Sequence, residues 1–119
     1  MTRDSFMTYE YADIGIRPAG TLADTATILG QALGGLVFKE DTQGGFDEYP
    51  AFIAESSGLR YALLGVPLPK DDVRDKSSND FALLVKPSAP KTGEKREDIS
   101  ERLIIHIKSD GRLTCWRLS

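Results

Sequence analysis

The residues best suited to covalent chemistry in this sequence are its single histidine and its single cysteine, His106 and Cys115. A β-hairpin of residues 103–108 and 112–118 would make them cross-strand neighbours, and a Cys–His pair is able to act as a nucleophile and its base. Such a site also needs an orienting third group, an oxyanion site and a pocket. The sequence indicates none of these, so we expect both side chains to fill one face of the hairpin and the protein not to be an enzyme.

Metal and phosphate sites are also poorly supported. Three aspartates within residues 71–75 resemble part of a calcium loop, but the glycine and the terminal glutamate of that motif are missing. One histidine and one cysteine are too few for a structural zinc site. The glycines at positions 30, 34 and 35 lie at the end of a predicted helix, whereas phosphate loops precede one. We therefore expect no metal and no cofactor.

The most distinctive segment is residues 39–50, which contains four acidic residues and two aromatic residues around Gly44 and Gly45. Glycine-rich polar hairpin tips are commonly no more than turns. Here, however, the aromatic residues alternate with acids, as in an interface that places an apolar anchor within a charged rim. The predicted partner-binding residues are Glu40, Asp41, Phe46, Asp47, Glu48 and Tyr49, with Glu55 extending the patch on the next strand.

The composition is that of an ordinary globular chain. Its 119 residues, 40% hydrophobic and 28% charged, predict a single domain over residues 1–119. A net charge of −3 does not favour non-specific nucleic-acid binding. One cysteine excludes an intramolecular disulfide, and the sequence as read leads us to expect neither a secretory signal nor a membrane-spanning helix. These observations predict a cytoplasmic protein. Whether translation starts at Met1 or at Met7 stays open. If Met7 is the true start, residues 1–6 are a flexible extension.

One helix is clearly indicated, over residues 21–33. Thr21 is a suitable N-cap, and Leu22, Ala26, Leu29 and Leu33 form one apolar stripe. The glycine pair that follows is a typical helix stop. Alternating or short apolar patterns predict the strands 9–17, 36–39, 46–49, 51–55, 59–66 and 81–86. The predicted turns are Gly44–Gly45 and the three residues 56–58.

The chain is expected to end in the hairpin of residues 103–108 and 112–118. Asp110 and Gly111 suit a type I′ turn, and the resulting register pairs Ile107 with Thr114, Ile105 with Trp116 and Leu103 with Leu118 on the core face. A brief helical turn is compatible with residues 99–102. Residues 67–79 and 87–98 are predicted mobile loops. Together these elements predict an α+β fold, with a largely antiparallel β-sheet of six to eight short strands packed against one main helix.

Three consecutive segments carry a family resemblance. Residues 21–38 form a helix closed by Gly-Gly before a strand, residues 45–52 read Gly-Phe-Asp-Glu-Tyr-Pro-Ala-Phe, and a hairpin covers residues 55–67. This arrangement resembles bacterial immunity proteins, particularly those of polymorphic or contact-dependent growth inhibition toxin systems. The resemblance implies a small cytoplasmic protein that neutralises a cognate toxin domain by stoichiometric binding.

The toxins of such systems are often nucleases with basic clefts, so the resemblance also implies that carboxylates of the inhibitor stand in for phosphates. The expected partner is a protein rather than a nucleic acid or a membrane, and a homo-oligomer is left open. The alternative is a small-ligand-binding or regulatory module without catalytic activity. Its pocket would lie between the helix and the sheet and be lined by Tyr9, Tyr11, Tyr61 and Phe81, although these aromatics also suit core or edge positions.

Overall fold

The computed structural model of the chain describes residues 8–41, 49–66, 79–88 and 95–118. Within these ranges the chain forms seven strands and two helices, which confirms the predicted α+β class. In chain order they are β1 (Thr8–Ile16), α1 (Leu22–Ala32), β2 (Lys39–Glu40), β3 (Ala51–Ser56), β4 (Leu59–Leu64), β5 (Phe81–Pro87), β6 (Lys95–Asp98), α2 (Ser100–Asp110) and β7 (Cys115–Arg117).

The strands form one sheet in the order β2-β3-β4-β5-β1-β6, and β7 also pairs with β1. All pairings are antiparallel except that of β1 with β6, which is parallel. The carbonyls of Tyr11 and Asp13 accept hydrogen bonds from Ile99 and Leu118 respectively. Carbonyls two residues apart on a strand point to the same edge. β6 and β7 therefore share one edge of β1, and β5 occupies the other.

Both helices cover the same face of the sheet. Ala12, Ile14 and Ile16 alternate along β1 as predicted, and all three are buried. Ile14 pairs with Leu83, and Leu83 pairs with Leu63, so a continuous buried row crosses three strands. These side chains belong to one core cluster with α1 and α2 residues such as Leu29, Leu103 and Ile107. We call this the helix face of the sheet and the opposite side the open face.

The start of α1 follows the sequence prediction. The Thr21 side chain accepts a hydrogen bond from the Asp24 N–H, and the Asp24 carboxylate accepts one from the Thr21 N–H, which is a complete capping box. The helix is followed by Gly34 and Gly35 with φ of +87° and +95°. The Leu36 N–H bonds to the Gly30 carbonyl. That bond ties Leu36 to the helix end, so β2 spans two residues from Lys39 rather than the predicted 36–39.

The hairpin of β3 and β4 is tighter than predicted. Ser56 pairs with Leu59, so the turn consists of Ser57 and Gly58 alone rather than three residues. Both turn residues have positive φ, +53° and +79°. This is the geometry of a type I′ turn, which matches the right-handed twist of the flanking strands. Because Ser56 is paired, the register along β3 and β4 is fixed by a two-residue connection.

The predicted C-terminal hairpin is wrong, because residues 100–110 form α2. Leu103, Ile104 and Ile107 are buried, with the spacing of one helical face, whereas Ile105 is 63% exposed. Gly111 has φ +86° and caps the helix through its N–H to the Ile107 carbonyl. The Asp-Gly signal thus marks a helix end. The expected pairings of Leu103, Ile105 and Ile107 do not form, and β7 pairs with β1 instead.

Part of the predicted loop 87–98 is also strand. Pro87 closes β5, and Lys95–Asp98 forms β6 beside the first half of β1. Hydrogen bonds then connect β6, α2 and β7. The Asp98 carboxylate accepts from the Ser100 N–H at 2.9 Å, and it also pairs with Arg117. The Ser100 hydroxyl is buried and accepts from the Asp13 N–H. These bonds hold α2 over the end of β1.

Candidate functional site

We call residues 39–50 the acidic segment. Its two described ends, residues 39–41 and 49–50, lie at one edge of the sheet. Glu40 is exposed on β2, the edge strand, and pairs with Phe52 of β3. The Asp41 N–H donates to the Ala51 carbonyl at 2.9 Å and so continues this ladder. Phe46, Asp47 and Glu48, like the predicted Gly44–Gly45 turn, lie outside the described residues. The strand pairing therefore brings the two ends of the acidic segment together beside the first residue of β3.

Glu55 is separated from Glu40 by the sheet itself. Because Glu40 pairs with Phe52, it projects to the helix face, whereas Glu55, three residues further along β3, projects to the open face. There Glu55 pairs with Arg60. It also lines a shallow hollow with Lys39 and Arg60. Glu55 thus lies beside two basic residues, on the face of the sheet opposite Glu40.

Tyr49 belongs to a second apolar cluster, on the open face. It packs with Ile53 and Leu84, all three partly buried, around the buried residues Ala51, Ala62 and Leu64. Among the residues the structure describes, no helical residue belongs to this cluster. An aromatic residue of the predicted interface is therefore placed in an apolar patch that α1 and α2 do not cover.

The open face also carries an uncommon charge arrangement. Arg60 of β4 and Lys86 of β5 are directly paired and both exposed. Like charges in this position destabilise a sheet. The two residues border a hollow of about 200 Å³ whose floor includes Ala62 and Leu84. The apolar cluster is thus flanked by cations on one side, and on the other lies the edge strand β2, from which Asp41 leads into the acidic segment.

His106 and Cys115 do not form the predicted cross-strand pair. His106 is exposed on α2, and Cys115 is buried on β7, where it pairs with Ile16. Burial raises the pKa of the Cys115 thiol, and the nearby Lys108 charge opposes this only in part. A raised pKa disfavours the reactive thiolate. Cys115 accordingly serves as a small core residue.

A cleft of about 500 Å³ opens between the end of α1, the first half of α2 and the sheet. Glu10 of β1 and Arg102 of α2 form an ion pair across it, with 3.0 Å between the Glu10 Oε2 and the Arg102 Nη2. His106 lies one turn after Arg102 and lines the same cleft. The other lining residues are Gln31, Ala32, Leu33, Gly34, Ser57, Leu59, Tyr61 and Leu103.

Tyr61 links this cleft to the core. Burial raises the pKa of its phenol, the Glu10 carboxylate raises it further, and the Arg102 charge opposes the shift. Tyr61 thus keeps its proton at neutral pH and can both donate and accept a hydrogen bond. The Gln31 amide oxygen accepts from Arg112 at 2.8 Å, and Arg112 is itself held by Asp110. That side of the cleft rim is therefore fixed by neighbouring groups.

The alternative hypothesis placed four aromatic residues around a pocket between helix and sheet; of the three whose side chains the structure describes, Tyr61 lines the cleft. Phe81 is in the core. Tyr11 alternates to the open face, where Arg96 lies 5.5 Å from its ring centre. The side chain of Tyr9 lies outside the described residues. Glu10 and Arg102 were not predicted from the sequence. The available signal was the four-residue spacing of Arg102 and His106, which places two side chains on the same face only in a helix.

Comparison of the chain with protein-family models and with curated proteins gave no match. Within the described ranges, no helix is long and apolar enough to cross a membrane. No group of three or more potential metal ligands occurs among the same residues. Two surfaces of the described residues thus remain as candidate sites: the open face beside the acidic segment and the cleft on the helix face.

Proposed function

We propose that this protein is an immunity protein, which binds a cognate bacterial toxin domain in the cytoplasm and inhibits it stoichiometrically. The interface is formed by the acidic segment and the adjoining part of the open face. Its toxin-binding residues are Glu40, Asp41, Phe46, Asp47, Glu48 and Tyr49, and Glu55 contributes from the open face. A nuclease with a basic cleft is the toxin class that best suits these carboxylates.

The observation that carries this proposal is the position of Tyr49. It lies near the end of the acidic segment and packs into the apolar cluster of the open face. Interfaces commonly combine an aromatic anchor at the centre with charged groups at the rim. The described carboxylate Glu40 lies at the same edge and is exposed. The apolar cluster thus lies beside the strand that begins the acidic segment, and Glu40 projects from that strand to the opposite face of the sheet.

The mechanism follows from this division of roles. The carboxylates attract a basic cleft over distance and raise the association rate, mainly at low ionic strength. Tyr49 and Phe46 would be desolvated in the complex and slow its dissociation. Inhibition then needs no chemical step, because the bound immunity protein occupies the volume that the toxin's substrate would enter.

The experiment is an affinity capture from the native host with the tagged chain, followed by mass spectrometry. We expect recovery of a toxin domain at equal stoichiometry, and loss of that protein when Asp41, Asp47 and Glu48 are all replaced by lysine. Circular dichroism checks that the triple variant stays folded.

The chain offers a matched control for charge reversal. Glu40 and Glu97 are both exposed glutamates on short edge strands, β2 and β6, at opposite ends of the sheet order. Glu40→Lys should weaken capture and Glu97→Lys should not. Equal capture by both variants and by the triple variant would move the interface away from the acidic segment.

A further inference from the structure

We propose a second binding site, for a small zwitterion of the α-amino-acid type with an apolar side chain, in the cleft between α1, α2 and the sheet. This site lies on the helix face, whereas the proposed toxin interface lies at the acidic edge and on the open face. The two proposals are independent, and each test reads out a different surface.

The first argument is the charge balance of the cleft. Its described lining contains one carboxylate, Glu10, one guanidinium, Arg102, and one imidazole, His106. The formal charges of Glu10 and Arg102 sum to zero. A ligand of net charge would be left without compensation, whereas a zwitterion presents both signs and matches both partners.

The second argument is the spacing of the two charges. The Glu10 and Arg102 side chains meet at 3.0 Å through one oxygen and one nitrogen. A carboxylate has a second oxygen, and a guanidinium has further N–H donors in a fixed plane. The ammonium and carboxylate of an α-amino acid are also neighbours, on a single carbon. Such a ligand can lie head-to-tail along the pair without breaking it.

The third argument is the polarity of the surrounding walls. The C-terminal end of α1 lines the cleft through Ala32, Leu33 and Gly34. The last turn of α1 holds no basic residue. A helix C-terminus carries partial negative charge and favours cations. The ammonium is therefore placed towards α1 and Glu10, and the carboxylate towards Arg102 and His106 on α2.

The remaining surface selects the side chain. Leu33, Leu59 and Leu103 supply apolar surface, and the Tyr61 hydroxyl and Ser57 supply hydrogen-bonding groups at its margin. A volume of about 500 Å³ falls within the usual range for small-molecule pockets, roughly 300–1,000 Å³. An aliphatic amino acid such as leucine uses both kinds of surface.

The test is a titration of the ¹⁵N-labelled full chain with L-leucine to about 20 mM, well above a dissociation constant of about 1 mM for a small open site. We expect saturable shifts of the amide resonances of Gly34, Ser57, Leu103 and His106, with no shift at Lys86 on the open face. Leucinamide lacks the carboxylate charge and 4-methylpentanoate lacks the ammonium. Each should bind at least about fivefold more weakly.

Variants separate recognition from general surface charge. Arg102→Gln and Glu10→Gln should each weaken L-leucine binding at least about tenfold. The matched control Lys108→Gln changes an exposed cation on α2 that does not line the cleft, and it should leave binding unchanged. The proposal is overturned if L-leucine gives no saturable shift at the cleft amides. Equal affinity for the two analogues, or unchanged binding by the folded Arg102→Gln protein, would overturn it as well.

Discussion

At the scale of single residues, Gly15 and Trp116 lie in close contact. The two residues are paired between β1 and β7, and the Trp116 indole lies over Gly15. A Cβ added at Gly15 would stand 2.3 Å from two atoms of that ring. Glycine is therefore required here for close approach rather than for an unusual φ, because Gly15 is not among the positive-φ glycines.

Gly15→Ala should consequently destabilise the protein by about 1–3 kcal/mol, the usual cost of an overpacked contact. Urea unfolding followed by circular dichroism measures this change in every variant, including those that lack Trp116, the single tryptophan of the chain. The double variant with Trp116→Ala provides the control, since the alanine methyl then has room. If the cost of Gly15→Ala is the same in both backgrounds, the indole does not cover Gly15.

At the scale of elements, Asp98 holds β6, α2 and β7 together. Hydrogen bonds from Ser100 lower the pKa of its carboxyl, with a further contribution from the Arg117 charge. A carboxyl whose folded pKa is depressed stabilises the fold above its unfolded pKa, about 3.9. That contribution is lost as the pH falls through the folded pKa.

Asp98→Asn keeps an oxygen acceptor for the Ser100 N–H and removes the charge. We expect the variant to be less stable than the parent protein at pH 7, and the difference to be smaller at about pH 2, because the stabilisation by the charged carboxylate is lost as the pH falls through the folded pKa. Urea unfolding at the two pH values measures both differences. A difference that does not depend on pH would mean that the charge of Asp98 has no stabilising role.

The two ends of the chain show why some elements are predictable from sequence and others are not. α1 is predictable from local sequence, since Thr21 and Asp24 cap its start and the glycine pair ends it. α2 does not, because its isoleucines favour strands and Asp110–Gly111 suits both a hairpin turn and a helix end. Packing on α1 and β1 decides in favour of the helix, and a β-branched pattern alone cannot reveal that contact. The cleft could not be predicted from the sequence either, because α2 forms one of its walls.

The two interpretations of residues 100–110 make opposite predictions for adjacent isoleucines. In α2, Ile104 is 6% exposed and Ile105 is 63% exposed, whereas the hairpin register would bury Ile105. Ile104→Ala should therefore cost about 2–4 kcal/mol of unfolding free energy, and Ile105→Ala less than about 0.5 kcal/mol. Equilibrium urea unfolding of the two variants decides between them. A larger loss of stability for Ile105→Ala than for Ile104→Ala would support the hairpin and contradict α2.

At the scale of the whole molecule, charge is distributed unevenly along the chain. Residues 1–69 contain 4 basic and 9 acidic residues, a net charge of −5, and residues 70–119 contain 11 and 9, a net charge of +2. The sheet order places β2 and β3, from the acidic half, at one end and β6, from the basic half, at the other. A basic partner should therefore be steered towards the β2 edge.

This asymmetry predicts how association with the captured toxin domain depends on salt. Glu40→Lys should lower the association rate several-fold at about 20 mM salt and much less at about 500 mM, where charges beyond a few ångströms are screened. Glu97→Lys, an identical change at the opposite edge, should lower it less at both salt concentrations. Stopped-flow fluorescence measures these rates. Equal effects of the two reversals would show that only net charge matters, and a salt-independent effect of Glu40→Lys would show that this residue makes a short-range contact rather than steering the partner.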